Sequence, residues 1–288
     1  MRGVCAARYL CAGLATRPAS LRGSVSVRRA CNAPGELRFD SLACLHLCMP
    51  WDFWLIFLIL GVVLPWRGRH RMQHFMALPE ASGRERIKLY LTTILFQWSL
   101  AAIVCWRVVA RGITVRELGV TPGRTPGVFV VAFAGAVLIA AAHWMNMRRM
   151  GSSKHPAAEK LRAMGARLFP RTSTELIFYV LLALTAGCCE EFLFRGFVIA
   201  ALFHLSLSKW IVIPLSAAMF GVAHLYQGKG GSVGTALLGI LFAAVRIAYH
   251  SLFPVVLWHA VLDVVAGIAG TRYLVRRESA MEAVEQIQ

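Results

Sequence analysis

The feature that most constrains this chain is a succession of long apolar runs separated by short, arginine-rich loops. Runs of about 15–30 apolar residues fit membrane helices better than the core of a soluble protein. We place seven of them: 52–66, 88–109, 126–147, Thr172 to Leu205, 210–226, 232–249 and 253–271. The chain is 58% hydrophobic over its 288 residues, against about 45–50% for a typical soluble domain. Neither an internal repeat nor the alternating pattern of a barrel is visible. The expected fold is therefore all-α, a polytopic membrane helix bundle of about seven or eight transmembrane helices.

The fourth run is too long for one simple crossing. About 33 residues at 1.5 Å each reach roughly 50 Å, against about 30 Å of hydrocarbon. It is either one tilted or kinked helix, or two short helices broken near Gly187. Loop charge bears on the choice. Arg67, Arg69, Arg71, Arg84, Arg86 and Lys88 lie between the first two runs. Arg148, Arg149, Lys154, Lys160, Arg162, Arg167 and Arg171 lie between the third and fourth. Basic loops stay cytoplasmic, and Arg272, Arg276 and Arg277 in the tail then favour a single crossing by the fourth run, hence seven crossings. Arg111, Arg116 and Arg124 in the 110–125 loop run against this bias.

The formal net charge of +17 raises nucleic-acid binding, but the basic residues cluster at membrane edges, where they meet anionic lipid heads. The expected partners are a lipid bilayer and no nucleic acid. Residues 1–48 differ in kind, with seven Arg against two acids and five of the eight Cys (Cys5, Cys11, Cys31, Cys44, Cys48). They read as a transit-like presequence or, more economically, as an extension upstream of a true start at Met49. The organisation expected is a poorly structured leader at 1–48, N-terminal helices and basic loops at 49–171, a catalytic membrane domain at 172–272 and a cytoplasmic tail at 273–288. No zinc-finger spacing or disulfide framework is legible.

Ionisable groups inside a membrane are costly and usually functional. Three places hold nearly all of them: Glu190 and Glu191 with Arg195 in GCCEEFLFRGF, His224 ending MFGVAH, and His259 and Asp263 in LWHAVLD. On a helix, Glu191 and Arg195 are one turn apart and can pair. Glu190 is rotated from Glu191 by about 100°, so one carboxylate can be neutralised while the other faces a polar space. His259 and Asp263 share the same spacing, so the Asp can hold the imidazole. Phe220 and His224 repeat it. A hairpin at 206–209 would put Glu190 and His224 at nearly equal height. His259 fits less well, so either that hairpin protrudes or the last helix begins deeper. Glu and His at one depth suggest general-base chemistry on a trapped water, and a second imidazole could stabilise an oxyanion. A buried polar network that merely joins helices is the plainer reading of the same residues. Taken singly, Cys188 and Cys189 read as small packing residues, His204 and His250 as interfacial or packing groups, Glu175 as a partner of a helix N-terminus, and Arg246 as a snorkelling or paired cation.

In their order and spacing these residues resemble the CAAX prenyl endopeptidase type II and bacteriocin-processing group, the CPBP intramembrane glutamic proteases. Its pattern is Glu-Glu-x-x-x-Arg, then Phe-x-x-x-His, then His-x-x-x-Asn or Asp. Here these are Glu190, Glu191 and Arg195, then Phe220 and His224, then His259 and Asp263, with Phe-Arg-Gly following the paired Glu. The resemblance covers about 172–270. It implies an intramembrane endopeptidase with Glu190 as general base and His224 helping to activate water. His259 and the residue at Asp263 would support the oxyanion, with Glu191, Arg195 and Phe220 as supporting residues. No cofactor and no metal is implied. The substrate implied is a peptide or protein, lipidated or membrane-associated. An ionised Asp cannot donate to an oxyanion as Asn can, so Asp263 must be protonated or must orient His259. The alternatives are a zinc peptidase using Glu190, His224 and His259, which lacks an HExxH helix, a non-catalytic membrane binding or immunity protein, and a proton-coupled carrier. The Arg- and Ala-rich composition points to a multi-pass protein of a bacterial plasma membrane.

Overall fold

The structure is a computed structural model that describes residues 49–79, 81–121 and 126–275. The described residues from Asp52 onward form one compact unit, which holds the helix bundle. The expected leader at 1–48 and most of the expected tail lie outside the described residues.

Every regular element among the described residues is helical. They are α1 (Trp51–Met76), α2 (Gly83–Ala110), α3 (Pro126–Ser152), α4 (Pro156–Leu168), α5 (Ser173–His204), α6 (Lys209–Ala223), α7 (Lys229–Tyr249) and α8 (Phe253–Val275). Six of these, all but α4 and α6, are long and apolar enough to cross a membrane. That is fewer than the seven or eight expected. The difference is α6, an apolar helix of 15 residues. It reaches only about 22 Å at 1.5 Å per residue, because the chain leaves the helix at His224 and turns through Leu225–Gln227.

Local signals set the helix starts. Ser82 caps α2 through a capping box, its hydroxyl accepting from Glu85 N while Glu85 Oε2 accepts from Ser82 N. Thr172 caps α5 by accepting from Glu175 N. Glu175 does more than face the helix N-terminus. Its carboxylate accepts from Arg86 Nε at 2.7 Å and Nη2 at 3.1 Å, both side chains buried, which ties the starts of α2 and α5 together.

Helix α5 is the centre of the bundle. It packs between α2 and α8, α8 in turn packs on α3, and α6 lies against the second half of α5 with α7 behind it. The close approach of α5 to α8 requires Gly187, where a Cβ would come within 2.9 Å of Val256 O and 3.0 Å of Ala260 N. No break occurs there. The irregularity expected near Gly187 lies further on, at Phe192–Val198, as a π-helical stretch inside one continuous 32-residue helix. Within this stretch Phe194 O accepts from the Ser216 hydroxyl of α6 at 2.9 Å.

The loop from Arg111 to Thr121 closes the far end. Gly119, at φ +73°, accepts from Leu252 N at 2.7 Å, Ser251 Oγ donates to Thr121 O, and the buried Arg246 donates to Glu117 O. The depth conflict seen in the sequence also resolves here. Gly196 packs at the level of Leu118 O and Leu252. The α5–α6 hairpin therefore projects about 12 Å beyond the 250–253 turn, eight residues at 1.5 Å each, and Glu190 and His259 stand about equally far from that level.

Candidate active site

The site forms where the π stretch of α5 meets the end of α6 and the first half of α8. Arg195 lies inside the π stretch and is fully buried. Its guanidinium sits 3.8 Å from the Phe220 ring centroid and 5.5 Å from that of Phe242, the geometry of cation–π contact. Nη1 donates to Glu191 Oε1 at 3.0 Å, and both side chains are wholly excluded from solvent. Two aromatic faces and one carboxylate thus hold a charge that could not otherwise stay inside an apolar bundle.

Glu191 also fixes His259. The imidazole Nδ1 lies 2.7 Å from Glu191 Oε1, so Nδ1 carries the proton and donates. Asp263, which the helical spacing allowed to hold His259, stands further off, at ion-pair range. Asp263 Oδ2 is 3.7 Å from His259 Nε2, outside hydrogen-bond range, and its side chain is the most exposed of the group at 39%. The reason is geometric: the shared face of α8 points both residues at the cluster, but the ring turns its Nδ1 edge across to α5.

His224 is held by its own helix. It is the C-terminal cap of α6, and Nδ1 lies 2.8 Å from Phe220 O, a carbonyl that the ending helix leaves without an amide donor. A carbonyl only accepts, so Nδ1–H points there and Nε2 faces the cluster. Phe220 packs against His224, His259 and Phe194 as well as Arg195, with ring centroids 4.5–5.9 Å apart.

Glu190 stands between the two imidazoles. Its Oε2 is 3.5 Å from His224 Nε2 and 4.0 Å from His259 Nε2. That oxygen is buried and has no hydrogen-bond donor among the described residues. Its Oε1 accepts from Gln97 Nε2 of α2 at 2.7 Å. One carboxylate oxygen facing two imidazole nitrogens at this range is a grouping able to hold and deprotonate a small polar molecule.

The structure therefore gathers Glu190, Glu191, Arg195, Phe220, His224, His259 and Asp263 from three helices into one cluster. Cys188 faces outward and Cys189 packs inside, both free thiols. No group of three or more His, Cys, Asp and Glu among the described residues is arranged to hold a metal ion. Gln97 went unnoticed in the sequence. Its only signal is an amide in the middle of an apolar run, which on one helix alone points at nothing.

The fold and this cluster define an integral membrane helix bundle with a buried glutamate–histidine site. Residues 172–265, about a third of the chain, match the family model described as "Type II CAAX prenyl endopeptidase Rce1-like". The match spans the motifs that carry the resemblance, from the start of α5 through Asp263. Comparison with curated proteins and with solved structures found no match.

Proposed function

We propose that the chain is an intramembrane endopeptidase that hydrolyses a peptide bond with water activated by Glu190 and His224. The observation that carries this reading is the position of Glu190 Oε2, without a hydrogen-bond donor among the described residues and facing both imidazole Nε2 atoms at 3.5 and 4.0 Å. Glu191 is engaged by Arg195 and His259, which leaves Glu190 as the carboxylate free to take a proton.

In this reading Glu190 removes a proton from water as the oxygen attacks the scissile carbonyl, and later delivers it to the leaving amine. His224, with Nδ1–H engaged by Phe220 O, offers the Nε2 lone pair to the water's second proton and orients it. His259, with Nδ1–H engaged by Glu191, has Nε2 directed toward Glu190 and Asp263. In its doubly protonated form that nitrogen donates to the oxyanion. Asp263, 3.7 Å away, acts as a nearby negative charge or, when protonated, as a second donor. The finer attributes rest on the family match and the composition: a peptide or protein substrate, lipidated or membrane-associated, and residence in a bacterial plasma membrane.

The test is to purify the full chain in lipid nanodiscs and profile cleavage of a peptide library by mass spectrometry, with Glu190→Gln in parallel. Cleavage by the wild type and none by the variant is the expected result. Equal products from both would favour a binding or immunity protein with a contaminating protease.

A further inference from the structure

We infer that Gln97, on α2 and outside the residues matched to the family, is the positioning residue for Glu190. The inference rests on the reading of Glu190 as the general base. Gln97 lies 14 residues into α2, about 21 Å from its start, midway along the helix and partly buried. Its Nε2 donates to Glu190 Oε1 at 2.7 Å, and no other hydrogen bond to that carboxylate exists among the described residues. A carboxylate held at one oxygen by a neutral donor keeps the other oxygen pointed in a fixed direction. Here that oxygen, Oε2, faces His224 and His259. Gln97 thus selects which lone pairs of Glu190 meet the water.

Helix packing alone does not explain a glutamine at this position. The amide oxygen Oε1 of Gln97 is buried with no donor among the described residues. A buried polar atom left unmet is destabilising, and a leucine or methionine would fill the α2–α5 contact without it. The next residue, Trp98, already joins the two helices through its Nε1 donating to Thr185 Oγ1 at 3.2 Å. The amide is retained where it touches the site. A neutral donor also suits the task, since a cation at this place would form an ion pair with Glu190 and weaken it as a base.

Gln97→Met and Gln97→Leu remove the donor and keep the bulk. We expect kcat to fall on the order of 10–100-fold, the scale of a small misplacement of a reacting group. KM should hardly move, because Gln97 reaches the substrate only through Glu190. In a Glu190→Asp background, whose shorter side chain no longer reaches the amide, Gln97→Met should add little further loss. An undiminished kcat, a loss confined to KM or to melting temperature, or the same fold-loss in the Glu190→Asp background would overturn the inference. If the wild-type chain cleaves no peptide, the endopeptidase reading fails, and infrared difference spectra decide Gln97 separately. The Glu190 carboxyl band, identified by its disappearance in Glu190→Gln, should shift in Gln97→Met; an unshifted band overturns the contact.

Discussion

His259 Nδ1 lies 2.7 Å from Glu191 Oε1, on a different helix, while Asp263 one turn away on its own helix stands 3.7 Å off. Glu191 thereby serves two partners, Arg195 and His259, and links the buried cation to the orientation of a site imidazole. Removing Arg195 strands a buried carboxylate at 0% exposure, and breaking such a pair costs about 3–5 kcal/mol. Arg195→Ala should show a large drop in melting temperature in detergent. Glu190→Gln, which leaves the pair intact, should melt near the wild type. Equal destabilisation by both would contradict this separation of roles.

Asp263 makes no hydrogen bond to His259 within range, and Asn is the alternative in the family pattern that the sequence resembles. Asp263→Asn should therefore keep peptide cleavage within about tenfold of wild type, because Asn can still donate toward an oxyanion. Glu191→Gln should lose more, since it weakens the grip on His259. Steady-state kcat for the two variants would rank them, and the reverse order would refute the assignment of the imidazole to Glu191.

Ser216 meets the Phe194 carbonyl at 2.9 Å in the π stretch. Ser216→Ala removes that hydrogen bond from a buried carbonyl, a loss of about 0.5–1.5 kcal/mol. Thermal unfolding should show a lower midpoint. An unchanged midpoint would mean that the π stretch does not depend on this bond.

Glu117 lies in the loop between α2 and α3, outside the membrane helices. Burial pushes its carboxyl up, but the amide and hydroxyl of Thr114 and the nearby His204 outweigh burial and hold it below its ordinary value of 4.5. A carboxyl depressed on folding adds stability that is present above its ordinary value and lost as the pH falls through the folded one. Between about pH 5 and pH 3 the wild type should therefore lose more melting temperature than Glu117→Gln. The side chain is 43% exposed, so the difference should be small and should shrink with salt. Parallel acid curves for both proteins would remove Glu117 from the account.

Chelation separates two chemistries that share these residues. Glu190, His224 and His259 are the residue types that bind a catalytic zinc, although among the described residues they are not arranged as a metal site; the alternative is that they act on water directly. The direct reading predicts that 1,10-phenanthroline and EDTA leave cleavage intact. Loss of cleavage followed by recovery on adding zinc would assign the enzyme to the metallopeptidases.

The helices and polar motifs were legible because lipid makes apolar length conspicuous and makes each buried charge stand out. Glu190, Glu191, Arg195, His224, His259 and Asp263 are conspicuous for that reason alone. What spacing could not give was direction. The 3.6-residue period says which residues share a face of one helix, but not which neighbour that face meets. It pointed Asp263 at His259, whereas Glu191 reaches across from α5. The π stretch at Phe192–Val198 leaves no trace in composition, and Gly187, which resembled a break, is a packing surface instead. The short span of α6 was hidden because the apolar run continues past His224, where the helix stops. Gln97 was invisible because a single neutral amide in an apolar run resembles a tolerated exception.

The central claim is that Glu190, His224 and His259 act as one unit on water. Its most direct test is the cleavage rate of the single variants Glu190→Gln, His224→Ala and His259→Ala beside the pairwise variants, all checked for retained melting temperature. Groups that act together are non-additive, so each single change should remove most of the turnover and each pair little more. Wild-type cleavage by Glu190→Gln, or losses that multiply independently across the pairs, would contradict it.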